Sequence, residues 1–308
     1  MKRKVIFLAG KTGVVSLPSR WMRAYNISKG QELEMTEVLS GLLIAKPTDH
    51  AESKAQLDIS GINSRLLFRY LNTLYKKGYT EIKLIYKEGI VGLDGKKENA
   101  LVSIQHVCDY LIGMEIVKQG ESYCVVKEVT SLKEGEFEVL LRRIFLMLLS
   151  TSKDLLAFLE KRDSEGLKNI IDFMDPNMGK LFKLCQRIIS TERKYWDKLV
   201  SFALLTEKLE CVGDIYSEIC RDLKLNGKVE LQQDTLEYFS DTNDLLERFY
   251  SLFYKYSVIE LNKLHLDAKV LKGQKFTGSL VDAMVVTKLK EVNNRVREGI
   301  DDLIGVNV

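Results

Sequence analysis

The sequence predicts a multidomain α+β protein with a β-rich N-terminal head, a small α/β middle domain and an all-α C-terminal helical bundle. Three observations lead to this prediction. Short alternating runs fill the first part, strand and helix patterns mix over the next part, and apolar residues recur every three or four positions thereafter. With 308 residues the chain is long enough for three domains. We place them at residues 1–47, 54–131 and 134–308, with a short linker over residues 47–53.

The head pattern predicts four short strands and one short helix. Val5 and Phe7 alternate with other residues in the first strand, as do Val15 and Leu17 in the second. Residues 33–38 and 42–45 give two further strands, and residues 17–25 give a helix that Pro18 opens and Asn26 closes. So small a unit exposes more sheet edge than it can protect. We therefore expect the head to dimerise.

This order of elements resembles the SpoVT/AbrB swapped-hairpin barrel. The most specific part is Gly13-Val14-Val15-Ser16-Leu17-Pro18 followed by Asn26-Ile27-Ser28-Lys29-Gly30-Gln31-Glu32. The resemblance implies that two copies interleave into one barrel and that the barrel binds DNA. Bacillus-type members carry basic residues directly before the two valines and as a pair in the helix, whereas this chain has Gly13-Val14 and Met22-Arg23 there.

Basic side chains elsewhere in the head are candidates for phosphate contacts on a symmetric dimer face. They are Lys2, Arg3, Lys4, Lys11, Arg20 and Arg23. The net charge of the whole chain is only +3, so any affinity for nucleic acid has to come from such a local patch. The alternative is that these six are ordinary surface cations around a dimerisation hub.

The middle domain mixes strands and helices. We predict strands at 56–59 and 79–86, helices at 63–77 and 98–111, a loop at 89–97, and a hairpin of 114–117 with 123–129. No glycine-rich phosphate loop and no nucleophile with a base occurs there. We interpret the domain as a spacer or dimer-contact module, with ligand sensing as the alternative. Arg65 and Arg69, one turn apart, are a pair that could hold an anion, although such pairs are more often solvated.

Apolar stripes predict a bundle of long helices from residue 134 onward. They cover residues 137–159, 167–189, 191–223, 234–271 and 278 to the end, and Pro176 is expected to kink or divide the second. The last stripe is long enough to pair with a second copy, although burial on its own bundle explains it equally well.

Carboxylates in the third stripe are the candidate metal ligands. Glu210 and Asp214 lie one turn apart, and both are expected to point away from the buried face, as is Glu207. The run from Leu209 to Asp214 resembles the motif of PhoU, the helical-bundle regulator of phosphate uptake. That resemblance implies a metal-ligand role for Glu210 and Asp214, with Glu207 as a possible third ligand.

The companion PhoU motif is incomplete in this sequence. At residues 175–179 it has a glycine, Gly179, where the family has an acid. Two hypotheses therefore stay open for Glu210 and Asp214. Either they bind a divalent or iron-type ion, or they are two solvated acids. The second hypothesis stays open because hard cations need more oxygen donors than two carboxylates provide. No other cofactor is expected.

The full domain order resembles archaeal PhoU-domain regulators that carry a SpoVT/AbrB head. The resemblance implies a dimeric cytoplasmic transcription regulator linked to phosphate uptake and phosphate homeostasis. Its head would bind DNA, while its bundle would receive a signal or dock a partner such as the ATPase subunit of a phosphate transporter. The alternative is a PhoU-type adaptor that does not bind DNA, dimerises through the barrel and regulates a phosphate ABC transporter.

Composition argues against several other classes of protein. The five cysteines form no C-x-x-C pair and mostly lie in apolar segments, which predicts buried reduced thiols. No run of 18 apolar residues occurs, so neither export nor membrane insertion is expected. The three histidines are scattered, and no acid, base and nucleophile converge in the sequence. We therefore do not expect an enzyme.

Overall fold

The structure of the protein is a computed structural model that describes residues 2–38, 41–46, 53–92, 95–130, 135–226 and 230–308. It confirms the predicted multidomain organisation with small sheets toward the N-terminus and a helical C-terminal region. Backbone contacts divide the chain into two compact units, Met1–Ala51 and Glu52–Val308. Apart from Ser53, the predicted linker lies outside the described residues, as does the boundary at 131–134.

The first unit contains two antiparallel hairpins and one short helix. Their bounds are β1 Ile6–Leu8, β2 Thr12–Val14, α1 Ser19–Ala24, β3 Glu34–Val38 and β4 Gly41–Ala45. β1 pairs with β2 and β3 with β4. Asn26 closes α1 with a positive φ of 50°, as predicted. The prediction that the second strand includes Val15 and Leu17 was wrong, because its partner β1 offers only three residues for pairing.

The second unit begins with a four-stranded sheet in the order β5-β6-β10-β9. β5 and β6 are parallel, while the other neighbours are antiparallel. The strands are β5 Lys54–Asp58, β6 Glu81–Ile85, β9 Met114–Gln119 and β10 Tyr123–Glu128, and the helices are α2 Ser64–Lys76 and α3 Ala100–Cys108. The segment predicted as a loop at 89–97 holds a small hairpin of β7 Ile90–Val91 with β8 Lys97–Glu98.

Side-chain caps fix where the two helices of this sheet module begin. The side chain of Asn63 accepts a hydrogen bond from the Leu66 amide at 2.8 Å, and that of Asn99 accepts one from the Leu101 amide at 2.9 Å. Asparagine is among the preferred residues for this role because its short side chain reaches the free amides of the first turn. The caps therefore place the start of α2 one residue inside the predicted range and that of α3 two residues inside it.

The rest of the unit is helical. The elements are α4 Glu136–Lys161, α5 Ser164–Asn169, a π-helical turn Ile170–Met174, α6 Asp175–Thr191, a 3-10 turn Arg193–Tyr195, α7 Leu199–Asn226, α8 Gln233–Tyr254, α9 Val258–Gly273 and α10 Leu280–Asn307. The predicted interruption at Pro176 is confirmed, since Pro176 is the second residue of α6, just after the π-helical turn Ile170–Met174 that separates α5 from α6, and proline and π-turns both interrupt the regular hydrogen bonding of an α-helix.

Two helix predictions were wrong at their ends. The third helix begins at Leu199 and not at residue 191, because a 3-10 turn intervenes. The predicted helix over 234–271 is two helices, since α8 ends at Tyr254 and Ser257 caps α9 by accepting a hydrogen bond from the Glu260 amide at 3.4 Å. A polar cap within an apolar stripe therefore decides the break.

All five cysteines are free thiols, and four of them are buried. Burial raises the pKa of Cys108 and of Cys185 to about 12, which leaves both thiols protonated and unreactive near neutral pH. The prediction that the cysteines are buried is confirmed for all but Cys211, which is half-buried. Of the helices in the described part of the chain, none has the length and apolar character needed to span a bilayer.

Arg187 of α6 joins the bundle to the sheet module. Its Nη1 donates to the carbonyl oxygens of Tyr75 at 2.6 Å and Tyr79 at 3.2 Å, and its Nη2 donates to Glu128 Oε2 at 2.8 Å. The guanidinium also lies 4.8 Å from the centre of the Tyr75 ring. Only 4% of the Arg187 side chain is exposed. A buried cation needs such partners, because an unpaired charge in the interior is strongly destabilising.

Gly78 allows α6 to lie close to the end of α2. It ends α2 with a φ of +83°, and a Cβ at this position would lie 2.3 Å from Cγ2 of Thr191, one turn beyond Arg187 on α6. Glycine is therefore required both by the backbone conformation and by the space under α6.

We predict that Arg187→Met lowers the free energy of unfolding by about 3–5 kcal/mol, because Glu128 and two carbonyl groups lose their buried partner. Arg248→Met is the matched control. Arg248 makes an ion pair of 2.7 Å with Asp267, but 40% of its side chain is exposed, so the loss should stay below about 1 kcal/mol. Urea unfolding followed by far-ultraviolet circular dichroism measures both values. Equal losses in the two variants would contradict the assignment, whereas adding Glu128→Gln to Arg187→Met should recover part of the loss.

Candidate nucleic-acid interface

The structure places all six predicted DNA-contacting cations of the head on the surface. Lys2, Arg3 and Lys4 precede β1, and Lys11 lies in the turn between β1 and β2. Each of these side chains is exposed. They are therefore accessible to a phosphate backbone.

The turn that carries Lys11 has a defined geometry. Ala9 and Gly10 adopt positive φ angles of 49° and 74°, and the Lys11 amide donates to the carbonyl oxygen of Leu8 at 3.3 Å. Residues with positive φ are typical of tight hairpin turns. The turn thus holds Lys11 at the tip of the first hairpin.

The helix α1 carries the other two candidates. Arg20 and Arg23 are exposed and lie three positions apart, so they share one side of the helix. The Nε atom of Arg23 donates to the carbonyl oxygen of Ser19 at 3.4 Å, which leaves its terminal amino groups available for a ligand. Lys29, in the turn after α1, is a further exposed cation that the sequence analysis did not select.

The head also exposes apolar side chains of the kind that a domain with its own hydrophobic core buries. None of the described residues from 2 to 37 and from 41 to 46 has a buried side chain. Phe7 is 67% exposed, Met35 65% and Ile6 61%. Exposed apolar surface on this scale is typical of an interaction site.

The acidic face of α7 is arranged as predicted. The stripe on the opposite face is buried, with Leu209, Val212 and Tyr216 all at 2% exposure or less. Glu207 and Asp214 are exposed and Glu210 is half-buried. Burial raises the pKa of the neighbouring Cys211 thiol, and the three carboxylates add to this rise while Arg295 opposes it. The three carboxylates therefore lie within electrostatic reach of one point on the helix.

Gly213 of the same run packs against two other helices. A Cβ at Gly213 would lie 3.3 Å from Leu148 of α4 and 3.4 Å from the methyl group of Met178 of α6. The structure thus brings the run from Leu209 to Asp214 next to the segment at 175–179, the companion motif in the sequence. Within the described ranges, no group of three or more His, Cys, Asp or Glu side chains is arranged to hold a metal ion. The metal-ligand role of Glu210 and Asp214 stays a prediction.

A comparison with known protein families identifies the head. The model of a family described as "Antidote-toxin recognition MazE, bacterial antitoxin" matches residues 6–52. The N-terminal head is therefore similar to domains of the MazE/AbrB type. Domains of this type typically dimerise and bind DNA, and they indicate a DNA-binding or antitoxin-type regulator. No curated protein and no solved structure matches the chain.

Proposed function

We propose that the protein is a dimeric DNA-binding transcriptional regulator linked to phosphate uptake, in which the head binds DNA and the helical bundle is the sensor or the docking domain for a partner. The observation that carries the proposal is the surface of the MazE/AbrB-like head. It combines exposed cations with an apolar surface that its own described residues do not cover.

The apolar area that the head leaves exposed supports the proposal that it dimerises. Phe7, Ile6 and Leu8 form one strand and are each more than half exposed. Burying an aromatic or aliphatic side chain contributes about 1.5–3 kcal/mol, so covering this strand and its equivalents with a second copy stabilises both chains. Two interleaved copies would also present each of the six cations twice on one body, which favours binding to a symmetric DNA site.

The link to phosphate uptake rests on the bundle. The PhoU-like run lies on α7, its carboxylates reach the surface, and its glycine packs against the helix that holds the companion segment. A signal that binds at these carboxylates would act on a packed junction of α4, α6 and α7. We propose a cytoplasmic location, where both DNA and a transporter ATPase subunit are accessible.

The second candidate function is the adaptor that does not bind DNA. It is favoured by Gly13 and Met22, which stand where the Bacillus-type members of the resembled family have basic residues. In this case the head only dimerises, and the bundle regulates a phosphate ABC transporter.

We predict that wild-type protein has the mass of two chains in multi-angle light scattering at micromolar concentration, and that Phe7→Asp shifts it toward one chain. A charge in the centre of an apolar interface is costly to bury, and the exposed Phe7 makes no core in a single copy. Val139→Asp is the matched control, since Val139 is 68% exposed on α4 of the bundle. A monomeric wild type, or a dimer that persists in Phe7→Asp, would contradict dimerisation through the head.

We predict that the protein retards promoter DNA in a gel-shift assay and that its affinity falls steeply with salt, because phosphate contacts release counterions. The triple variant Lys11→Ala, Arg20→Ala, Arg23→Ala should lose three contacts per chain, and the slope of log K against log salt should become less negative by about 0.9 per lost contact. Absence of any shift at low salt would favour the adaptor.

We predict that purified protein contains a bound divalent or iron-type ion and that Glu210→Ala releases it, because Glu210 and Asp214 repel each other at this spacing and a bound cation would relieve the repulsion. Glu237→Ala is the control, since Glu237 lies on α8, outside the PhoU-like run. Elemental analysis of the three proteins measures the content. An ion-free wild type, or equal content in the two variants, would remove the metal role.

A further inference from the structure

We propose that the exposed face of α2 is a second nucleic-acid contact, one that binds the phosphate backbone independently of sequence. It lies in the second unit, outside the head. The inference rests on the proposed function, because it adds a surface to a protein that already binds DNA.

The outward side of α2 carries only one sign of charge. Residues from Ser64 to Lys77 include four cations and no acid. At about 100° per residue, Arg65, Arg69 and Lys76 fall within a sector of about 40° on the helix, and Lys77 lies about 80° beyond that sector. The opposite side is the buried one, where Leu67, Leu71 and Tyr75 are fully covered. Arg65, Arg69 and Lys77 are exposed and Lys76 is half-buried, on a helix whose orientation is fixed by its core.

These cations are not used within the fold. In the part of the chain that the structure describes, Arg65, Arg69, Lys76 and Lys77 make no ion pair and no side-chain hydrogen bond. Other cations of the same module do, since Lys97 pairs with Glu88, and Lys54 with Glu81 at 3.5 Å. The helix face is thus a local concentration of uncompensated positive charge.

Two of the four charges work against helix stability. Arg65 lies in the first turn, where the partial positive charge of the helix dipole repels it. Arg69 stands four residues later, and like charges at this spacing destabilise a helix by about 0.2–0.5 kcal/mol. Neither residue gains anything from the fold in return. A ligand with negative charge would offset both effects.

The shape of the face fits a nucleic-acid backbone. Eleven residues separate Arg65 from Lys76, which corresponds to roughly 16 Å along the helix. Phosphates of one DNA strand follow one another about every 3.4 Å along the duplex axis, so the span covers roughly four or five of them. Arginine binds phosphate through two parallel hydrogen bonds, which lysine cannot do.

Two further exposed side chains favour nucleic acid over other polyanions. Tyr70 is 43% exposed and Leu66 40% exposed, and both lie beside the cations. A tyrosine ring can pack on a sugar or an unpaired base. A membrane-binding helix would need a wider apolar face than one leucine and one tyrosine. We therefore commit to nucleic acid as the occupant.

The test uses full-length variants and two duplexes, one that covers only the sequence protected by the head and one with about 20 additional base pairs on each side. Arg65→Gln with Arg69→Gln removes two exposed cations, and glutamine has a helix propensity close to that of arginine, so the fold should persist. The control is Lys269→Gln with Lys272→Gln, which removes two exposed cations of α9. Circular dichroism and thermal unfolding check that the variants fold as wild type does.

We expect the α2 variant to lose two phosphate contacts on the longer duplex. Between 50 and 200 mM salt the affinity of wild type should then fall more than that of the α2 variant, by roughly tenfold for each chain of the dimer, whereas the control variant should behave as wild type does. On the short duplex, wild type and the α2 variant should have the same affinity and the same salt dependence. An α2 variant with the wild-type salt dependence on the longer duplex would overturn the inference.

The head triple variant separates this inference from the proposed function. If that variant loses binding while the α2 variant behaves as wild type, the head binds DNA and the inference fails. If the head variant behaves as wild type while the α2 variant loses binding, the inference stands and the head is not the DNA contact. Loss of phosphatidylserine-vesicle binding in the α2 variant with unchanged DNA affinity would also overturn the inference, as would a wild type that binds no DNA at 50 mM salt.

Discussion

A buried guanidinium joins the sheet module of the second unit to its helical bundle. Arg187 satisfies two backbone carbonyls at the end of α2 and one carboxylate at the end of β10, so one side chain ties a helix and a strand of the sheet module to α6 of the bundle. Because the charge has left water, its partners cannot move away without leaving it unpaired. The orientation of α2 relative to α6, and with it the direction in which the cations of α2 project, therefore depends on this contact and on the glycine beside it.

The head differs from the second unit, because it buries no side chain among its described residues, although its strands are rich in leucine, isoleucine and valine. Each hairpin has only two strands, which rarely suffices for stability in water without a further packing surface. The second unit has a complete apolar core of its own. The chain thus combines a second unit that has a buried apolar core with a head that leaves apolar side chains exposed, which is the arrangement that the proposed dimeric regulator requires.

Local patterns predicted much of this fold because each is decided by neighbours in sequence. Asn63 and Asn99 mark helix starts and Pro176 marks an interruption through their own chemistry, and the stripe through Leu209 and Tyr216 is buried as its spacing predicts. The break at Ser257 was missed because the apolar repeat continues across it, and the second strand was extended too far because its length depends on the partner strand. Arg187 gave no signal in the sequence, since its three partners lie 59 to 112 positions away.

The same reasoning explains why the two candidate interfaces differ in how well sequence reveals them. The head follows a recognisable order of elements, so its exposed cations could be selected from the sequence. Arg65 and Arg69 are separable from ordinary solvated charges only when the acids of the module are seen to be engaged elsewhere, as Glu81 is with Lys54. The positive charges of Arg65 and Arg69 are not compensated within the fold. The helix dipole repels Arg65, and the four-residue spacing makes the two charges repel each other, so both residues lower the stability of the free helix. A polyanion bound along α2 removes that cost, and the same cations that weaken the free helix then strengthen the complex.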